Sequence, residues 1–390
     1  MIKKKLIFLW DVFTTSLLCF GGPEAHYAVF IRRLAQEKNY VTEAQIREWM
    51  GVFSLIPGPS STQTMMAIGY AYGGKLLAFF TWIVWAFPAM IILSFLAYFY
   101  PIVAANTGWR SVLTYLPVLA VSFIAYAGWT MFQKLKKTTT HYALFASILF
   151  LGYLFQNLSF WVLPALLIFS GIFFVAKERE TWFYPKEVKT KITLPLFPLL
   201  LFLIVTLYVE IMLMQNISST MMSTLTFYRF GYSIIGGGQL VIPYMIESLV
   251  GGSIPLDVFL SGYAIDQSIP GPLFSFASFV GAFGQQSLLT AIALGLAAGG
   301  MIFLPGIFGV YIVFPIWKQL RERKFFQVFL QGVVVAVTSL IVLTAITQAV
   351  RLPLYWDVWV VFLMSLFVLI QKKINPFLLV MLLMLVGLIF

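Results

Sequence analysis

A chain of 390 residues that is 61% hydrophobic and 10% charged, with a mean hydropathy of +0.94, has too little polar surface for a soluble globule and reads as an integral membrane protein. Its 25 basic and 14 acidic residues give a net charge of +11, which in so apolar a chain reports basic loops on one side of a bilayer rather than nucleic-acid binding. One cysteine, Cys19, excludes an intrachain disulfide, and with only two histidines there is no metal or nucleophile constellation, so neither a metal, a cofactor nor an enzyme activity is expected.

Met1 to Phe20 has the lysine-rich start and apolar run of a signal peptide but no small-x-small cleavage site, and it is read as a retained first helix. Lys3, Lys4 and Lys5 place the N-terminus in the cytoplasm. Gly21-Gly22-Pro23 breaks the helix, and Glu24 to Gln36 returns as a second half-helix toward a polar turn at Glu37-Lys38-Asn39. Thr42 and Gln45 have capping-box spacing for a segment that runs to Ile56. There Pro57-Gly58-Pro59 interrupts the chain before a short helix that ends near Gly73-Gly74. Leu76 to Tyr100 is long enough to cross, with a kink expected at Pro88. Spans follow at about Val112 to Phe132, His141 to Phe155 and Phe160 to Ala176, then a polar stretch, Lys177 to Lys191, and a further span, Leu194 to Met214.

The pattern then repeats at an offset near 215. Gly236-Gly237-Gly238 follows an apolar half-helix, and Pro270-Gly271-Pro272 lies 34 residues after Gly236, against 36 from Gly21 to Pro57. Phe87-Pro88 is matched by Leu304-Pro305, and spans at about Phe326 to Val350, Tyr355 to Ile370 and Pro376 to Phe390 match the three earlier ones. Between its glycine break and its Pro-Gly-Pro, the first half carries Arg32, Arg33, Lys38 and Arg47, whereas the same interval of the second half has no Lys or Arg. After the Phe-Pro span the bias reverses: Arg110 alone in the first half, and Lys318, Arg321, Arg323 and Lys324 in the second. Basic loops that swap sides make the halves inverted, with one extra helix to join them. The expected fold is an all-α integral membrane protein of two inverted-topology repeats with broken, re-entrant helices and a joining transmembrane helix. Its parts are residues 1–176, 177–217 (polar loop and joining helix) and 218–390.

The two Pro-Gly-Pro breaks organise this plan. A proline suits the first helical position, where no N–H is missed, and the helix that follows aims free N–H groups and a positive dipole end at whatever lies before it. Two such breaks suggest two half-helices aimed at one anion at the bilayer midplane, where broken backbone is tolerable only against protein or a wet cavity.

Phe20-Gly21-Gly22-Pro23 with Ala25-His26, Ile56-Pro57-Gly58-Pro59 with Gln63, and Ile68-Gly69-Tyr70 resemble the first half of the chromate ion transporter family. Gly236-Gly237-Gly238, Gln267 with Pro270-Gly271-Pro272-Leu273, Phe279-Val280-Gly281 and Phe303-Leu304-Pro305 resemble its second half, as in the long, fused form. The resemblance implies a plasma-membrane carrier that exports chromate, a dianion similar to sulfate, and so gives chromate resistance. Gln239, Asp266 and the absence of basic residues in the second interval depart from the family pattern.

The candidate substrate-binding residues are Gly21, Gly22, Pro57, Gly58, Pro59, Ser60, Ser61, Thr62 and Gln63 in the first half, and Arg229, Gly236, Gly237, Gly238, Pro270, Gly271, Pro272 and Ser275 in the second. Ser60 to Gln63 offer uncharged donors to an oxyanion or ordinary caps, and both uses share one geometry. Arg229 lies about 15 Å into an apolar half-helix if that helix starts near Ser219. It is either an oxyanion fork or a snorkelling or acid-paired arginine. Glu24, His26 and Asp266 are candidates for proton or ion coupling. Their alternatives are a helix-start carboxylate, a buried hydrogen-bonded histidine and a structural ion pair, for which Arg229 is the suggested partner of Asp266. Arg32 and Arg33 read as cytoplasmic anchors or an entry funnel. The partners implied are a small oxyanion and the lipid bilayer, with no nucleic acid, and a homodimer is compatible with such a chain. The alternatives are a carrier of sulfate or another oxyanion, a membrane-embedded enzyme, and a scaffold.

Overall fold

The computed structural model describes residues 2–54, 56–105, 113–155, 162–178, 194–215, 220–234, 241–250, 252, 254–317, 324–371 and 376–389. Among these the protein is all-α, with a single bridge between Val250 and Ile254 outside the helices. The first half contains α1 (Ile2–Ser16), α2 (Pro23–Phe30), a π-helical turn (Ile31–Glu37), α3 (Glu43–Phe53), α4 (Ser60–Gly73), α5 (Lys75–Ala105), α6 (Leu116–Lys134), α7 (Thr139–Phe155) and α8 (Val162–Lys177). After the joining helix α9 (Leu196–Met214) come α10 (Thr220–Ser233), α11 (Val241–Leu249), α12 (Leu256–Ser268), a 3-10 turn (Leu273–Ser275) and α13 (Phe276–Ala282). The chain closes with α14 (Leu288–Val313), a 3-10 turn (Phe314–Ile316), α15 (Lys324–Val350), α16 (Trp356–Gln371) and α17 (Pro376–Ile389).

Among the described residues, five helices are long and apolar enough to cross a membrane: Lys75–Ala105, Leu116–Lys134, Leu196–Met214, Leu288–Ile316 and Gln327–Val350. The protein is an integral membrane protein, and the large apolar side chains left exposed on its helices, such as Phe197, Ile204 and Leu378, face lipid.

Local chemistry explains most boundaries. Thr42 accepts from the Gln45 N–H at 3.2 Å while the Gln45 side chain accepts from the Thr42 N–H at 2.9 Å, which closes the capping box that starts α3. Pro88 and Pro101 lie within α5 and Pro305 within α14, and both helices run on through them. Pro59 and Pro272 stand one position earlier than the first-turn reading has it: each is the N-cap, with extended ψ (105° and 136°). A proline's fixed φ suits that place, and the turn of the chain happens at the proline rather than after it. The second break is also tighter than the first. A 3-10 turn precedes a seven-residue α13, where α4 has 14 residues.

In lipid, helices associate through close packing of small residues rather than through a hydrophobic drive. A Cβ on Gly231 of α10 would stand 2.4 Å from the Ile302 carbonyl of α14, and one on Gly299 would stand 2.3 Å from Ser278 Oγ of α13. Corresponding helices of the two halves pair in the same way: α4 lies along α5 as α13 lies along α14, and α5 and α14 pack on each other. One pairing is not shared. α12 packs along α6, whereas among the described residues α3 has no such packing against α15.

Candidate functional site

Each Pro-Gly-Pro is bonded to the opposite half. The Gly58 N–H donates to the carbonyl of Ile234 at 2.7 Å, and the Gly271 N–H donates to the carbonyl of Cys19 at 2.8 Å. Ile234 lies 215 residues after Cys19, and Gly271 lies 213 after Gly58, so the two bonds are one contact made twice. Each acceptor lies two residues before a glycine run, Gly21-Gly22 or Gly236-Gly237-Gly238. Gly58 has φ +119 and Gly271 φ +139, a region that L side chains avoid. Both also lie flat on a crossing helix. A Cβ on Gly58 would meet Gly306 Cα of α14 at 2.4 Å, and one on Gly271 would meet Ala89 Cβ of α5 at 2.5 Å. Gly306 follows Pro305 and Ala89 follows Pro88, so this contact is reciprocal too.

The first break opens onto the N-terminus of α4. Ser60, Ser61 and Thr62 are each 2% exposed, and Pro59 supplies no side-chain cap. The Gln63 N–H bonds to Pro59 O at 3.0 Å, whereas the three N–H groups before it have no acceptor among the described residues. Around them lie hydroxyls and ring N–H groups. Tyr27 donates to Ser60 Oγ at 3.0 Å, and Trp85 Nε1 donates to Thr62 Oγ1 at 3.2 Å. His26 is fully buried beside the Gly21 backbone, edge-on to Trp85 at 5.6 Å, and neither ring nitrogen has a hydrogen-bond partner among the described residues. Gln63 Nε2 donates to the carbonyls of Pro57 (2.9 Å) and Gly306 (3.2 Å), which ties the break to α14 and uses both amide hydrogens. Among the described residues the lining is donors and neutral groups, a chemistry suited to an anion.

The second break differs. Leu273 and Phe274 fill the positions that Ser60 and Ser61 hold in the first, and Ser275 is buried with its hydroxyl unpartnered among the described residues. Asp266 and Gln267, at the end of α12, are buried at 4% and 3% exposure. Gly236, Gly237 and Gly238 lie outside the described residues, as does the side chain of Glu24.

Arg229 pairs with Glu210 of the joining helix, not with Asp266. Its Nε and Nη2 donate to the two carboxylate oxygens at 3.0 and 2.6 Å, and Tyr232 donates to the same carboxylate at 2.6 Å. The pairing follows from reach, because α9 packs on α10 whereas among the described residues α12 has no comparable packing there. Glu210 is an acid within an otherwise apolar span, and that isolation is the sequence signal for it. Asp11 is a second residue of this kind. It is buried in α1, where it takes Lys38 Nζ at 3.0 Å and the Tyr40 hydroxyl at 2.5 Å. Arg32 and Arg33 both reach Glu37, at 3.0 and 2.9 Å, outside the spans. The two guanidiniums, that of Arg32 first, hold the Glu37 carboxyl below the usual carboxylate value. Among the described residues no group of acids, cysteines and histidines could hold a metal ion.

The chromate transporter family model matches the chain twice, over residues 6–175 and 222–388. An uncharacterised transporter of Methanocaldococcus jannaschii is 26% identical over 390 aligned positions, covering 95% of this chain and 91% of that protein. A probable chromate transport protein of Synechococcus elongatus is 24% identical (83% and 79% covered), and a chromate transport protein of Pseudomonas aeruginosa is 23% identical (86% and 78%). No solved structure matches. With both halves matched and the reciprocal breaks in place, the chain belongs to the chromate transporter family.

Proposed function

We propose that the protein is a secondary transporter that carries chromate out across the plasma membrane by alternating access and so gives chromate resistance. The observation that carries this reading is the buried N-terminus of α4, where three N–H groups without acceptors and the hydroxyls of Ser60 and Thr62 surround one break. Relatives named as chromate transport proteins supply the anion, a tetrahedral dianion. Their names also favour transport over enzymatic chemistry.

Two half-chains that exchange the same contact are related by a twofold. The swapped basic loops support placing its axis in the membrane plane, which inverts the halves. The two family matches support a division at 1–176, 177–217 and 218–390, and Lys3, Lys4 and Lys5 favour a cytoplasmic N-terminus. An inverted pair changes access when its halves trade conformations. The unshared pairing supports this. α12 is closed against α6, while α3 presents Ala44, Gln45, Arg47 and Gly51 to solvent on the side of the basic loops. In this conformation the path opens toward the cytoplasm.

Moving one charge through 100 mV is worth about 2.3 kcal/mol, so a dianion leaving an inside-negative cell gains about 4.6 kcal/mol. Export is electrically downhill, and uptake would need accompanying cations. Vesicles holding the purified protein, given labelled chromate with sulfate as competitor and the potential clamped at either sign, test the reading. Potential-driven chromate flux that excess sulfate slows only in part is expected. Absence of flux at both signs would refute chromate transport, and full inhibition by equimolar sulfate would make the protein a general oxyanion carrier.

A further inference from the structure

We infer that the second break is a proton site, carried on the carboxyl of Asp266 and separate from the anion-facing break at α4. Resting on the oxyanion reading only for its coupling partner, the inference starts from four buried groups. Asp266 Oδ2, Gln267 Nε2, Tyr263 Oη and Ser275 Oγ have no hydrogen-bond partner among the described residues, and none of these side chains is more than 4% exposed. They are one cluster. The Tyr263 hydroxyl and the Gln267 side chain face each other in a polar contact looser than a hydrogen bond, with Asp266 close by; the Tyr263 ring is 5.8 Å from that of Phe276, and the Asp266 carboxylate faces the Phe276 N–H, which follows Ser275 in the chain. Each buried polar group left unpaired is destabilising, so such a cluster persists when its function needs it open.

Its chemistry is opposite to that of the first break. In register, the first half has Phe53 and Ser54 where the second has Asp266 and Gln267, and Ser60 and Ser61 where the second has Leu273 and Phe274. Among the described residues the first break therefore presents donors without an acid, and the second an acid without a cation. Among the described residues, the elements mainly packed on α12 are α5, α6, α13, α17 and the Leu273–Ser275 turn. Their ionisable side chains are Lys75, Tyr98 and Tyr100 of α5, and Tyr126 and Lys134 of α6. Both lysines are exposed at helix ends, and Tyr100 lies by Ser261 and Asp257, at the far end of α12. α12 itself adds Asp257, exposed in its first turn, and Tyr263. A carboxylate with no cation in a membrane interior is costly, and protonation removes the charge without needing the six or more oxygens of a calcium-like site. A proton taken up on Asp266 from one aqueous face and released to the other as access changes would couple chromate movement to pH.

The test uses the full-length protein in liposomes that hold a pH-sensitive dye, with the potential clamped and a chromate gradient as driver. Wild type is expected to move protons with chromate. In Asp266→Asn the number of protons moved per chromate is expected to fall below a tenth of the wild-type value, whatever the flux, whereas Asp257→Asn leaves the ratio unchanged. A ratio that persists in Asp266→Asn, or a wild-type flux that carries no protons or depends on sodium, overturns the inference. Infrared difference spectra of the lipid-embedded protein without substrate give an independent reading: a protonated-carboxyl band that Asp266→Asn removes and Asp266→Glu shifts. If wild type moves no chromate, the oxyanion reading fails while this band still decides the proton site, and a wild-type spectrum without the band rejects it. If Asp266→Asn does not insert, the shift in Asp266→Glu decides.

Discussion

The N–H of Gly58 donates to the carbonyl of Ile234 at 2.7 Å, from a backbone at φ +119 that lies against Gly306. Three demands meet at one residue: a left-handed backbone, a bond across the repeat boundary and contact with a crossing helix. Gly58→Ala is therefore expected to cost more than about 2 kcal/mol, from backbone strain and a clash with backbone, and to abolish chromate flux. Gly271→Ala should behave alike through Ala89. Gly300, where an added Cβ meets nothing within 4 Å in the middle of α14, should accept alanine with a gain of about 0.5–1 kcal/mol. Thermal unfolding in detergent, alongside flux in vesicles, separates the three.

Glu210 and Arg229 form a two-pronged pair with side chains 14% and 23% exposed. Removing one member strands the other in an apolar setting. Glu210→Gln should lose about 3 kcal/mol, and the double variant Glu210→Gln with Arg229→Gln should recover much of it. A double-mutant cycle on unfolding midpoints measures the coupling. Additive losses would mean that the pair contributes nothing jointly.

Access can be read with cysteines, since the native thiol at Cys19 is buried. Gly51→Cys, on the exposed face of α3 where an added Cβ meets nothing within 4 Å, should react quickly with a membrane-impermeant maleimide applied to the cytoplasmic face, and Phe259→Cys, fully buried in α12, should not. If the halves trade conformations during transport, chromate should slow the first reaction and speed the second.

The Glu37 carboxyl is held low by Arg32 and Arg33, so its contribution to stability is complete above the ordinary carboxylate value of about 4.3 and is lost as pH falls through the lower folded value. Amide exchange of Ile31–Glu37 should therefore be constant from neutral pH down to about pH 4, beyond the intrinsic pH effect, and rise below it. In Glu37→Gln the acid-induced rise should be missing.

Most of the helix plan was legible because its signals are local. The Thr42–Gln45 box starts α3 as expected, and the spans from Leu76 to Met214 begin and end within a few residues of the observed helices. The partner of Arg229 was not legible, since Glu210 and Asp266 are both acids in apolar surroundings and only packing of α9 on α10 selects one. Asp11 was hidden for the same reason: Lys38 and Tyr40 reach it across a loop. The π-helical turn at Ile31–Glu37, where the Lys38 N–H bonds five residues back to Arg33, leaves no periodicity signature in seven residues. The first break's placement came from composition, but its bond to Ile234 required the fold.

Among the described residues the joining helix packs mainly on α10 and α14, and most of its surface is left outside the protein's core. Its main packing among the described residues is on the second half, so the covalent link to the first is expected chiefly to guarantee one copy of each. A gene cut within residues 178–194 should still yield two polypeptides that find each other through the paired glycine seams, as would be expected of an ancestor that encoded the halves separately.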